Sequence, residues 1–102
     1  MKITSTITVR EGFNNISMLN ELEWINGDIW ANVWQTDDII VINPNNGIVK
    51  QRFNFSKLKD HIHQTYSNNI DVLNGIAWDK TLNRIFLTGK LWPYIYEVQI
   101  ND

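Results

Sequence analysis

Lys90 is the side chain whose setting most invites chemistry in this 102-residue sequence. It follows Gly89 at the end of the apolar run Ile85-Phe86-Leu87, where an ammonium is either a cation offered to a ligand or a solvated lysine closing a strand. Trp34 stands 56 residues earlier, at the matching point of a similar segment. The pairing puts an aromatic surface and a cation at one height in neighbouring units, both directed at a shared pocket; packing between sheets is the plainer role for Trp34. Asn20, ahead of a strand, reads from its type alone as a turn residue bonding its own backbone. His61 and His63 lie two apart, but no third ligand cluster accompanies them, so they read as surface histidines and no metal is expected. Asp37, Asp38 and Asp79 are turn residues. There is no Cys, hence no thiolate, disulfide or cysteine-based zinc site.

The segments holding these residues are copies of one pattern. Leu19-Asn20-Glu21-Leu22-Glu23-Trp24 matches Leu73-Asn74-Gly75-Ile76-Ala77-Trp78 at an offset of 54. From Ile29 and Ile85 onward the offset is 56, so two residues are inserted in a turn. Strand-like copies at such a spacing mark a repeat architecture, a β-propeller in particular.

The elements that position them follow from period and turn chemistry. Residues 3–9 alternate Ile3, Ser5, Ile7 and Val9 with threonines, which predicts a strand. Glu21–Ile25 is a strand closed by Asn26-Gly27, a strong hairpin signal. Asp28–Gln35, Ile39–Asn43 and Ile48–Phe55 complete a four-stranded antiparallel meander, with Pro44-Asn45-Asn46-Gly47 as its last turn. Ser56–Asn69 is a polar excursion in which Ser56 is placed to cap a short helix containing Leu58 and Ile62. Gly75–Asp79, Arg84–Leu91 and Tyr94–Ile100 begin a second meander, one strand short. The alternation would put Lys90 on the side of Phe86 and Thr88. Trp24, Trp30 and Trp78 are assigned to packing.

The expected class is therefore all-β: about two blades of a propeller, one at 18–55 and one at 70–100, with 3–9 the outer strand of a preceding blade. Residues 1–102 hold one partial domain. Two blades close no ring, so a sheet face and an edge should be bare, which points to a piece of a longer chain or to self-association. A 43% apolar share with 12% aromatics is enough for a core. The net charge of −2 carries no footprint for nucleic acid or an anionic membrane. No apolar run nears the ~20 residues that span a bilayer. Met1–Val9 lacks the apolar core of a signal peptide, and the compartment is not fixed.

Leu19-Asn20-Glu21-Leu22-Glu23, Trp30-Ala31-Asn32-Val33-Trp34-Gln35-Thr36-Asp37, Leu73-Asn74-Gly75-Ile76-Ala77 and Thr88-Gly89-Lys90-Leu91-Trp92-Pro93 together resemble the C-terminal part of the plant and bacterial glutaminyl-peptide cyclotransferases. The resemblance spans residues 6 to 100. It implies a five-bladed propeller that turns the N-terminal glutamine of a peptide or protein into pyroglutamate and releases ammonia, without a cofactor, at one mouth of the central channel. It further implies that Asn20 is similar to the family's active-site asparagine, Trp34 to a pocket tryptophan and Lys90 to the active-site lysine. The family's catalytic glutamate and remaining pocket aromatics belong to earlier blades, and Glu21 and Glu23 do not match them. Family members are often secreted or periplasmic. The competing expectation is a non-catalytic propeller-like module that binds peptides or proteins.

Overall fold

The computed structural model describes residues 1–100. A small hairpin, β1 (Arg10–Glu11) with β2 (Asn14–Asn15), precedes a four-stranded sheet. That sheet runs in chain order as β3 (Leu19–Ile25), β4 (Asp28–Val33), β5 (Asp38–Ile42) and β6 (Val49–Asn54). Helix α1 (Ser56–Thr65) leads to a three-stranded sheet of β7 (Leu73–Asp79), β8 (Arg84–Gly89) and β9 (Tyr96–Val98). Every pairing within the sheets is antiparallel.

Turn chemistry sets the register. Asn26 and Gly27 have φ of 50° and 86°, the left-handed pair whose twist suits a two-residue hairpin. Ile25 then faces Asp28 and Glu23 faces Trp30. A slip of one residue would send each apolar side chain to the opposite face.

Alternation along the strands builds two apolar layers. Ile25, Trp30, Ile39 and Val41 of the first sheet meet Leu73, Ile76, Ile85 and Leu87 of the second. Each such burial contributes about 1.5–3 kcal/mol, so this layer is what joins the sheets. Ala31, Ile40 and Ile42 point the other way and are covered by Val9 and Ile16. β7 lies against β3 and β4. The Asn26 side-chain Nδ2 donates to Asn83 Oδ1 at 3.5 Å, which places the two hairpin turns side by side.

Four expectations need correction. Residues 3–9 join no ladder: alternation makes a strand only where an edge is offered, and this stretch meets the first sheet just at its end. There Thr8 crosses Gly47, which has φ +75° and no room for a Cβ, and the Arg10 amide donates to the Gly47 carbonyl at 2.9 Å. Trp24 is 53% exposed rather than packed, because it and Leu22 lie on β3 beyond the cover that Val9 and Ile16 provide. Ser56 is the first helical residue and caps nothing; its amide donates to the Asn54 side chain at 3.1 Å. Lys90 and Leu91 lie past the end of β8, with Leu91 at φ 64°, so strand alternation does not set the direction of Lys90. Trp30 is buried, and Trp78 packs on the core with its indole N–H bonded to Asn83 at 2.9 Å.

Candidate active site

Strand direction collects the candidate residues at one end of both sheets. β3 runs toward the Asn26-Gly27 turn and β4 returns, so Asn20 and Trp34 lie at the opposite end. β7 and β8 repeat this path, so Lys90 also lies opposite its hairpin turn. Since those turns touch, Asn20, Trp34 and Lys90 share one end of the layered pair. Helix α1 starts there too: the Phe55 amide donates to the Asp37 carbonyl at 2.8 Å, and Lys59 pairs with Asp37 at 2.9 Å.

The repeat holds down to single hydrogen bonds. The Trp34 amide donates to the Met18 carbonyl at 2.9 Å, and the Lys90 amide donates to the Val72 carbonyl at 2.9 Å. Thr36 bonds back to Val33 at 3.1 Å, as Trp92 does to Gly89 at 3.1 Å. Gln35 and Leu91 have left-handed φ of 63° and 64°. Both first strands carry a bulge at the same place, between Leu19 and Leu22 and between Leu73 and Gly75. Bulges re-aim side chains; Asn20 lies in the first and Asn74 in the second.

The three side chains are presented to solvent. Asn20 is exposed, Trp34 is 44% exposed and the Lys90 side chain is 63% exposed. No hydrogen bond or ion pair joins them to one another among the described residues. Lys90 instead faces Asp71, Nζ to Oδ2 at 3.8 Å. Asp71 donates its amide to the Lys90 carbonyl at 2.9 Å and accepts the Trp92 indole N–H at 2.8 Å on its own carbonyl. Gly89 makes this close, since a Cβ there would strike the Trp92 ring and the Val72 carbonyl. Sequence reasoning missed Asp71; its only signal was that the repeat has Ser17 where the second copy has an acid.

Beyond Trp92 the rim is aromatic. Trp92 meets Tyr96 edge-on at 6.2 Å, Tyr96 meets His61 at 5.5 Å, and Tyr94 touches both Tyr96 and His61. His61 Nδ1 lies 2.6 Å from the Tyr96 oxygen, and the Tyr94 hydroxyl donates to Thr65 at 2.9 Å. Burial first, and then the neighbouring Tyr94, push the Tyr96 hydroxyl above its usual titration range. Among the described residues no group of three or more His, Asp or Glu is arranged to hold a metal ion, and no helix is long and apolar enough to cross a membrane.

A mainly apolar hollow of 580 Å³ lies on the outward face of the second sheet, bounded by Ala77, Phe86, Thr88, Ile95 and, from β3, Glu21. Phe86 and Thr88 are the repeat equivalents of Trp30 and Asn32. In the first sheet that face is covered by the second; in the second sheet it is open, and Ile95 is 73% exposed.

The glutamine cyclotransferase family model matches residues 1–100 of this chain. Over 102 residues the chain is 45% identical to the Arabidopsis thaliana protein named glutaminyl-peptide cyclotransferase, and it spans 32% of that protein's length. The crystal structure of Myxococcus xanthus glutaminyl cyclase superposes with a TM-score of 0.84 and 39% identity, over 91% of this chain and 40% of that one.

Proposed function

The chain belongs to the glutamine cyclotransferase family, and from that premise we propose that it supplies part of a glutaminyl-peptide cyclotransferase site. Its two sheets are successive blades of a β-propeller. The substrate class is a peptide or protein with N-terminal glutamine, and the products are its pyroglutamyl form and ammonia.

In this reaction the α-nitrogen forms a bond to the γ-carboxamide carbon of the same residue, and the bond from that carbon to the amide nitrogen breaks. The attacking amine gives up a proton and the departing nitrogen gains one, so ammonia leaves and no outside reactant is consumed. Both reacting groups sit on one side chain; the protein's task is to hold that side chain curled and to meet the charge that grows on the carbonyl oxygen. In this reading Trp34 packs against the aliphatic part of the glutamine. Asn20, aimed by its bulge, and Lys90 supply a carboxamide and a cation to the polar groups. No acid/base glutamate is assigned in this chain.

The reading is carried by one observation: Trp34 and Lys90 leave two adjoining sheets through the same backbone motif at the same end. The bare face at Phe86 and Ile95, and Leu22 and Trp24 at the other side, are where further blades would seat. Those blades come from further chain or from other copies, and they would offer residues 3–9 the sheet edge that this stretch does not find here. Incubation with a glutaminyl peptide, with ammonia and pyroglutamyl product followed together, tests the reading. Product from the chain, or from the chain completed by further blades, is expected; none from either refutes it.

The same bare faces support a second reading, a non-catalytic module that binds peptide or protein. It predicts binding that is indifferent to the terminal glutamine.

A further inference from the structure

We propose that Asp71 is a positioning residue for Lys90, its carboxylate setting where the ammonium stands at the site's rim. The proposal rests on the reading of Lys90 as a substrate-facing cation, and three observations support it.

Asp71 is itself fixed. Its Oδ1 accepts the Val72 amide at 2.8 Å, which orients the carboxylate and leaves Oδ2 toward Lys90 at 3.8 Å. Its amide and carbonyl are tied to Lys90 and to Trp92. A lysine stem has four rotatable carbons and loses much freedom when its head is localised. An immobile counter-charge lessens what remains to be lost when substrate arrives.

The internal repeat supplies a control. The position equivalent to Asp71 is Ser17, and the position equivalent to Lys90 is Trp34. The backbone bond to the preceding strand is the same in both copies, 2.9 Å from Trp34 to Met18 and 2.9 Å from Lys90 to Val72. Only the copy with the cation has the acid. The other contacts special to this corner, the Asp71 amide on the Lys90 carbonyl and the Trp92 indole on the Asp71 carbonyl, are made by the Asp71 backbone and do not require a carboxylate.

The pair is also half open, with side-chain exposures of 63% for Lys90 and 45% for Asp71. Water screens it at rest, and a peptide covering the rim would strengthen it by excluding that water.

Asp71→Asn keeps the acceptor for the Val72 amide and removes the charge; Asp71→Glu keeps the charge. Acylation of Lys90 by an amine-reactive ester, read by peptide mapping against Lys2, Lys57 and Lys80, should be faster in D71N and restored in D71E. An unchanged relative rate at Lys90 overturns the proposal. Affinity for a glutaminyl peptide should fall about two- to fivefold in D71N, the range for an exposed pair. D71E should recover it, and the deficit should shrink in 1 M salt. If labelling responds while peptide affinity does not, the pair stands and its role toward substrate is overturned. If the unaltered chain, completed by further blades, binds no glutaminyl peptide, the functional reading fails and labelling alone decides the pair.

Discussion

Trp34 and Lys90 occupy one backbone position just past the second strand of two successive sheets, each amide held 2.9 Å from the carbonyl that precedes the neighbouring strand. An aromatic ring and an ammonium thus emerge from matching backbone turns. Neither belongs to the buried core: Trp34 is 44% exposed and the Lys90 side chain 63%. Lys90→Met and Trp34→Leu should therefore leave thermal unfolding within the usual ±0.5 kcal/mol of a surface change. If the proposed function holds, in the chain completed by further blades each should lower turnover of a glutaminyl peptide at least tenfold, roughly 1.4 kcal/mol in the barrier. Normal turnover in both would remove them from the site.

Asn32 is fully buried on the Trp30 face, and neither its Nδ2 nor its Oδ1 has a hydrogen-bond partner among the described residues. An orphaned buried polar group costs about 1–3 kcal/mol. Asn32→Val removes both orphaned groups, suits a strand and adds less bulk than Leu would, and it should be neutral or stabilising by up to that amount in urea unfolding. A clear loss of stability would show that the carboxamide has a partner. At the equivalent position the Thr88 hydroxyl donates to the Tyr94 carbonyl at 2.8 Å, so Thr88→Val should cost about 1 kcal/mol.

Gly89→Ala should destabilise by about 1–3 kcal/mol, because its Cβ would press on the Trp92 ring and the Val72 carbonyl. It should also disturb Asp71 and Lys90 through Trp92. Unfolding in urea gives the first effect, and the near-ultraviolet signal of the tryptophans reports the second.

Arg52 ties the N-terminal hairpin to β6: it contacts Glu11 at 2.8 Å and Asp38 at 2.8 Å. Hydrogen bonding to Arg52 holds the Glu11 carboxyl below its ordinary value. A carboxyl lowered on folding adds stability above its unfolded value, near 4.3; that stability is lost as pH falls through the folded value. The pair is partly exposed, so its worth is at most about 1 kcal/mol. Glu11→Gln should lower the melting temperature at pH 7, and the difference from wild type should begin to shrink below the unfolded value and vanish once the pH is below the lowered folded value. A difference that stays constant down to full protonation of the carboxyl would rule out the charge as its cause.

Ile95 is 73% exposed beside the open hollow on the second sheet. Ile95→Lys should reduce the mean mass seen by light scattering at high concentration, because it puts a charge on the surface where another apolar sheet would dock. An unchanged mass would locate any self-association elsewhere.

Much of this fold is legible in the sequence because its signals are local. Asn26-Gly27 fixes one hairpin, and the Leu19 and Leu73 segments display the repeat before any coordinates. What stayed hidden depends on distant partners. The alternation of residues 3–9 is genuine, yet no neighbouring edge takes it up. Trp24 has the composition of a core residue and lies beyond its cover. Alternation carried past Gly89 misdirects Lys90, because β8 ends there. Asp71 was invisible because its link to Lys90 arises where two strand ends meet, which neither period nor propensity encodes.

The offset between the copies changes from 54 to 56 because Lys80–Asn83 is two residues longer than Asn26-Gly27. Both turns lie at the end remote from Trp34 and Lys90. Tolerance for added length has thus already been demonstrated once inside the molecule, at its base. An epitope, a fluorophore or a tether grafted at Thr81 or Leu82 would ride on that spare hairpin, and the corner that holds Trp34 and Lys90 would be untouched.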